Sequence, residues 1–154
     1  MMKIRQGTKE DLPQALELIR ELAIYEKAEN EVENTVESML QDGFGEQPVF
    51  GFHVADDQGK IVGISIYYYR YSTWKGKCLY LEDLVVNESY RGKGIGKLLF
   101  DATALRAKEA NCNLLNWQVL DWNEPAINFY KKINAQFDNE WINCRLTREQ
   151  LDKY

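Results

Sequence analysis

Leu79-Tyr80-Leu81-Glu82-Asp83-Leu84-Val85-Val86, followed after Asn87–Tyr90 by Arg91-Gly92-Lys93-Gly94-Ile95-Gly96-Lys97, decides how this chain folds. The first eight residues read as a strand from Leu79 to Val86, apolar except for two adjacent carboxylates. The three alternate glycines read as a tight loop. Ile95, Leu98, Leu99, Ala102 and Leu105 then recur on one face of a helix that the loop opens. Glycines permit positive φ and close backbone approach, so successive N–H groups can converge on an anion. The start of the helix adds unpaired N–H donors and partial positive charge. Arg91, Lys93 and Lys97 reinforce it. The stretch is therefore built as a cradle for a diphosphate.

Spacing narrows the kind of cradle. A P-loop needs G-x-x-x-x-G-K-[ST], but here Leu98 follows Gly96-Lys97 and no glycine stands at 91. A dinucleotide fingerprint needs G-x-G-x-x-G in a first strand–helix unit, whereas this G-x-G-x-G comes deep in the chain. What remains is R-x-x-G-x-G, or a glycine turn that binds nothing.

Working outward, Lys3–Gln6 is expected as a strand, and Thr8 as the cap of a helix running to about Tyr25. Thr35 is expected to cap a second short helix ending near Asp42-Gly43. Phe50–Ala55 and Ile61–Tyr71 read as strands joined at Asp57-Gln58-Gly59, and Trp74-Lys75-Gly76 closes a second hairpin. Beyond the glycine-rich helix, Leu114–Leu120 is an expected strand. Asn123 caps a helix to about Ile133, Trp141–Leu146 is an expected last strand, and Thr147 caps a C-terminal helix. Hairpins precede strand–helix alternation, so the class is α/β with a mixed sheet and helices packed on it. No repeat, low-complexity segment or linker divides the chain, and residues 1–154 are expected as one domain.

Composition excludes several classes. The chain has 154 residues and a net charge of −5, which argues against a general nucleic-acid binder. No run approaches the ~18 apolar residues of a membrane span, and the N-terminal Met1-Met2-Lys3-Ile4-Arg5 lacks the apolar core of a signal peptide, so a cytoplasmic protein with no membrane partner is expected. Cys78, Cys112 and Cys144 have no metal-ligand spacing and read as reduced thiols; no metal is expected. The single histidine, His53, reads as structural. Charge is unevenly spread: residues 1–46 hold eleven acids and five bases. The stretch from Glu26 to Glu37 is either a solvated surface or a field that attracts a cation.

Further segments extend the pattern. Leu22-Ala23-x-Tyr25-Glu26, Asp42-Gly43-Phe44-Gly45-Glu46, Tyr80-Leu81-Glu82-Asp83, Tyr90-Arg91-Gly92, Trp122-Asn123-Glu124-Pro125 and Asn128-Phe129-Tyr130-Lys131 are distributed over nearly the whole chain. With R-x-x-G-x-G after the fourth strand, the sequence resembles the GNAT N-acetyltransferases, in particular their spermidine/spermine (diamine) and thialysine branch. The resemblance implies a central, mostly antiparallel twisted sheet splayed at the fourth strand, a homodimer, and acetyl-CoA as co-substrate. The acceptor it implies is a small cationic amine that attacks the thioester directly in a ternary complex.

The resemblance also implies roles. Glu82 would be the base, through water, unless it merely alternates outward to solvent. Tyr130 would protonate the departing sulfur, a task that suits a phenol; as an alternative it is a packing tyrosine. Leu84, Val85 and Val86 would offer backbone groups to the acyl and pantetheine parts. Arg91, Gly92, Lys93, Gly94, Ile95, Gly96 and Lys97 would hold the diphosphate. Asn123, Glu124, Pro125 and Ala126 would line the pantetheine arm. Tyr25, Glu26, Glu82, Asn116, Trp117, Gln118 and Glu140 would meet the amine. The hairpin Tyr71-Ser72-Thr73-Trp74-Lys75-Gly76 looks like the thialysine branch, where the polyamine branch has an aspartate at the position of Ser72. The competing readings are a GNAT enzyme for a protein or an unrelated small amine, and an acyl-CoA-binding sensor without turnover.

Overall fold

The computed structural model describes residues 1–154. Two compact units divide at Gln118/Val119. Residues 1–118 hold a five-stranded sheet in the order β1 (Met2–Gln6), β2 (Gly51–Asp57), β3 (Lys60–Ser72), β4 (Gly76–Val86) and β5 (Leu114–Asn116). The first three pairings are antiparallel and β4–β5 is parallel, so the sheet is mixed as the sequence predicts. Gln58 and Gly59 both take positive φ, the conformation a two-residue hairpin loop requires.

Helices cover both faces. On one lie α1 (Leu12–Tyr25) and α2 (Val36–Phe44), where Leu12, Leu16 and Met39 pack on Val54, Ile64, Ile66 and Val85. On the other lies α3 (Ile95–Glu109), where Ile95 and Leu99 pack on Ala55 and Val62, and Ala107 on Tyr67 and Leu79. A Cβ on Gly63 would stand 2.9 Å from Leu99 Cδ1, so glycine lets α3 sit down on β3. Within this layer the Thr103 hydroxyl is satisfied by Ser65 Oγ and the Leu99 carbonyl, each at 3.0 Å. Thr35 caps α2, accepting from Ser38 N–H at 3.1 Å. Thr8 and Asp11 form a reciprocal capping box that opens the α1 region, with Arg5 bonded to both Asp11 oxygens.

β5 is shorter than the expected Leu114–Leu120. Its ladder to β4 ends at Tyr80↔Asn116. There the Trp117 ring meets Phe100 of α3 edge-on, with centroids 5.2 Å apart, and leaves the strand path. From Leu81 to Val86, β4 is laddered on the β3 side alone.

Residues 119–154 hold α4 (Glu124–Lys132) and α5 (Arg148–Leu151). Asn123 caps α4, accepting from Ala126 N–H, and Thr147 caps α5 with a full capping box. The expected strand Trp141–Leu146 does not form. Strand propensity needs a ladder partner. Here Asp138 instead turns the chain, accepting from Glu140 N–H at 3.0 Å and from Trp141 Nε1 at 2.8 Å. No helix is long and apolar enough to cross a membrane.

Candidate active site

β3 and β4 pair residue for residue except at one point. Tyr67 faces Leu81 and Ile66 faces Asp83, so Glu82 is one residue too many. Such a bulge re-aims side chains that strict alternation would send to opposite faces. Asp83 lies with Ile66 and Val85 on the α1 side of the sheet. Glu82 turns to the same side, where its charge adds to the burial that raises the pKa of both Tyr68 and Tyr80. The Tyr68 and Tyr80 rings lie 5.2 Å apart, with the Arg70 guanidinium 5.4 Å from the Tyr80 centre. Two consecutive carboxylates thus share one face with two tyrosines.

Their environments differ. Glu82 is exposed, whereas Asp83 is half-buried. Loss of water pushes the Asp83 carboxyl up to about 6, with the negative charges of Glu82 and then Glu26 adding to it. Glu26, just past the last turn of α1, is itself raised by burial. Glu26, Glu82 and Asp83 therefore form one coupled acidic cluster. Carboxylates that repel one another, with Glu26 and Asp83 partly stripped of water, are stabilised by an incoming ammonium, and Asp83 can exchange a proton near neutral pH. Asp83 was missed by sequence reasoning, and its signal was the second acid inside an apolar strand.

The glycine-rich turn opens α3 where the spacing places it. Gly92 and Gly94 have φ of 76° and 79°, and Gly94 is the N-cap residue of α3. The first N–H groups of α3 therefore open toward the loop without a side-chain cap. Lys97 is bonded to Asp101 at 2.6 and 2.7 Å, and Lys93 lies 5.0 Å from the centre of the Tyr90 ring. Arg91 lies over Tyr25, its Cζ 5.3 Å from the ring centre. Open N–H donors, glycines and three cations fit a diphosphate. The β4 segment carrying Leu84, Val85 and Val86 leads into this loop and lacks a ladder partner on one side, so it can offer backbone groups to a ligand.

The remaining expected residues are placed as follows. Asn116 faces Tyr80 across the parallel ladder, on the α1 side, while Trp117 packs on α3, on the opposite face from the acidic cluster. Gln118 is exposed at the end of the first unit. In residues 119–154, Asn123 is a buried cap, with Glu124, Pro125 and Ala126 forming the first turn of α4. Tyr130 is buried on α4, its ring 5.3 Å from that of Phe129. Glu140 lies exposed in the Asp138 turn. Ser72 is occupied as a turn former, its oxygen accepting from the N–H groups of Trp74 and Lys75 at 3.2 and 3.1 Å. His53 is buried beside Tyr67 with Nδ1 unbonded, and burial pushes its pKa down to about 4, so it is a neutral core residue.

The chain is a mixed α/β fold whose fourth strand loses its neighbour and then enters a glycine-rich turn at a helix N-terminus. The family model of the GNAT acetyltransferases matches residues 13–135, and the chain belongs to that family as an N-acetyltransferase. It is 43% identical over 141 residues to a thialysine N-epsilon-acetyltransferase from Bos taurus, covering 86% of this chain and 83% of the relative. It is 36% identical over 159 residues to a spermidine/spermine N(1)-acetyltransferase-like protein 1 from Homo sapiens, covering 97% of this chain and 23% of that longer protein. Among solved structures, an integron cassette protein from the mobile metagenome of V. cholerae superposes with a TM-score of 0.79 at 26% identity, covering 99% of this chain and 96% of the other.

Proposed function

We propose that this enzyme moves an acetyl group from acetyl-CoA to the primary amine of a small cationic substrate, by direct attack in a ternary complex. The observation that carries the reading is the bulge at Glu82, which gathers Glu82 and Asp83 with Glu26 on one face at the end of a strand that runs into an anion cradle. Acetyl-CoA supplies a thioester carbonyl and a thiolate leaving group. Arg91, Lys93, Lys97 and the N–H groups from Gly92 to Gly96 hold its diphosphate. Backbone groups of Leu84–Val86 and the Asn123–Ala126 turn bind its arm.

Glu26, Glu82 and Asp83 draw the ammonium in and hold it beside the tyrosine rings, with Tyr25 and Asn116 on the same side. Glu82, through water, takes the proton that frees the nitrogen lone pair. Tyr130 donates its phenolic proton to the sulfur as the thiolate leaves. Gln118 and Glu140 take amine-side roles as well, and Trp117 takes one on leaving its contact with Phe100. The catalytic domain runs over residues 1–154, consistent with a family match from 13 to 135; it works in the cytoplasm as a homodimer.

Thialysine or a short diamine is the favoured acceptor over spermine. Ser72 carries no charge, and the hairpin tip lies about 20 Å along β4 from Glu82, at ~3.3 Å per residue, so it adds no distal anchor. The test is thiol release from acetyl-CoA with thialysine, a short diamine and spermine at one pH and salt. Release is expected with the first two at higher kcat/KM. A tenfold preference for spermine overturns the substrate assignment. CoA binding without thiol release from any amine points to a sensor.

A further inference from the structure

Arg91 is the one cation of the cradle that touches α1. Its Nε donates to the Val86 carbonyl at 3.1 Å, its Nη2 lies 4.0 Å from Glu21, and its guanidinium covers the Tyr25 ring. Glu21 also fixes the segment ahead of the loop. It accepts from Asn87 Nδ2 at 2.9 Å and from Glu88 N–H at 2.8 Å. One carboxylate on α1 therefore sets both the path of the chain into the anion cradle and the resting place of its arginine.

We propose that the contact of Arg91 with the Tyr25 ring and its binding to the diphosphate exclude one another, so that two cations, Arg91 and the substrate ammonium, compete for one aromatic face and the two ligand sites are energetically linked. Glu21 is the positioning residue that keeps Arg91 over the ring. This rests on the acetyl-CoA reading above. A carbonyl and a carboxylate at 4.0 Å are weaker partners for a guanidinium than a doubly charged diphosphate offering bidentate bonds. The Arg91 side chain is 43% exposed, so it has room to leave. Once it leaves, the ring next to Glu26 presents its negative face to an ammonium already drawn by the acidic cluster. Linkage is reciprocal, so the amine must tighten CoA by the same factor.

Calorimetric titration of thialysine into the full chain, with and without saturating CoA, tests this, because CoA lacks the acetyl group and no turnover intervenes. CoA is expected to tighten thialysine roughly three- to thirtyfold, the range of one cation–π contact. Arg91→Ala should bind thialysine without CoA as tightly as the loaded wild type does. Tyr25→Leu should abolish the linkage. Glu21→Gln should shrink it, whereas a Glu21 that only stabilises the fold would lower the melting temperature and leave the ratio unchanged. Thialysine affinities within twofold with and without CoA, when both ligands bind, overturn the linkage and leave the acetyltransferase reading standing. A wild-type chain that binds no CoA overturns both.

Discussion

Asp83 is the residue whose ionisation the fold disturbs most usefully. Its pKa of about 6 means the folded chain keeps a proton that the unfolded chain has released between about pH 4 and 6. Stability therefore falls as pH rises through that window. Asp83→Asn is expected to stabilise the protein at pH 7.5 by on the order of 2 kcal/mol, with the gain vanishing toward pH 4; urea denaturation at the two pH values measures it. Glu82→Gln removes the assigned base, so turnover should fall most at low pH, where the amine is hardest to deprotonate, and a small, uniform effect across the pH profile would leave Glu82 a structural carboxylate. At the same scale, Tyr130→Phe keeps the ring and loses the proton. Turnover should drop about 100-fold or more while CoA binding is retained. Single-turnover kinetics beside a CoA titration separate the two, and unchanged chemistry would remove Tyr130 from the reaction.

At the level of elements, the glycine-rich turn was legible because its requirements are local. Gly94 takes φ of 79°, and a Cβ added there would meet nothing within 4 Å, so Gly94→Ala costs conformation alone, about 1–2 kcal/mol. We expect a raised KM for acetyl-CoA with kcat nearly unchanged, read from initial rates. The bulge was not legible, because it depends on how β4 registers against β3 and no stretch of β4 alone encodes that. The pair Glu82-Asp83 was visible, but the resemblance assigns a role to Glu82 alone, and strict alternation would send the two side chains apart. Trp141–Leu146 failed for a related reason: alternating apolar residues specify a strand's faces but not the existence of a neighbour to bond. The placement of Trp117 was not legible either, because its ring packs on Phe100, a tertiary contact no local pattern announces.

For the molecule as a whole, the fold class followed from the order of hairpins and helices, and the family from motifs spread along the chain. Of the acidic stretch from Glu26 to Glu37, Glu26 is the residue whose charge reaches Asp83. Self-association is the property at this scale that calls for measurement. Trp141 and Ile142 are 73% and 88% exposed, and two adjacent large apolar residues in water favour burial against a partner. Sedimentation at micromolar concentration should give twice the chain mass of 18.0 kDa, and Ile142→Glu should return it to a single chain. A single-chain mass for the wild type would exclude the homodimer.

The extra residue in β4 has a consequence for insertions and deletions. Removing almost any residue of a strand slips every following side chain to the other face. Glu82 is exempt: with it gone, Leu81 still faces Tyr67, Asp83 still faces Ile66, and the run from Leu84 to the glycine loop keeps its register. A chain shortened by that one codon would retain its sheet and its anion cradle while losing half of its carboxylate pair. In this architecture, the residue assigned the chemistry is the one the ladder never needed.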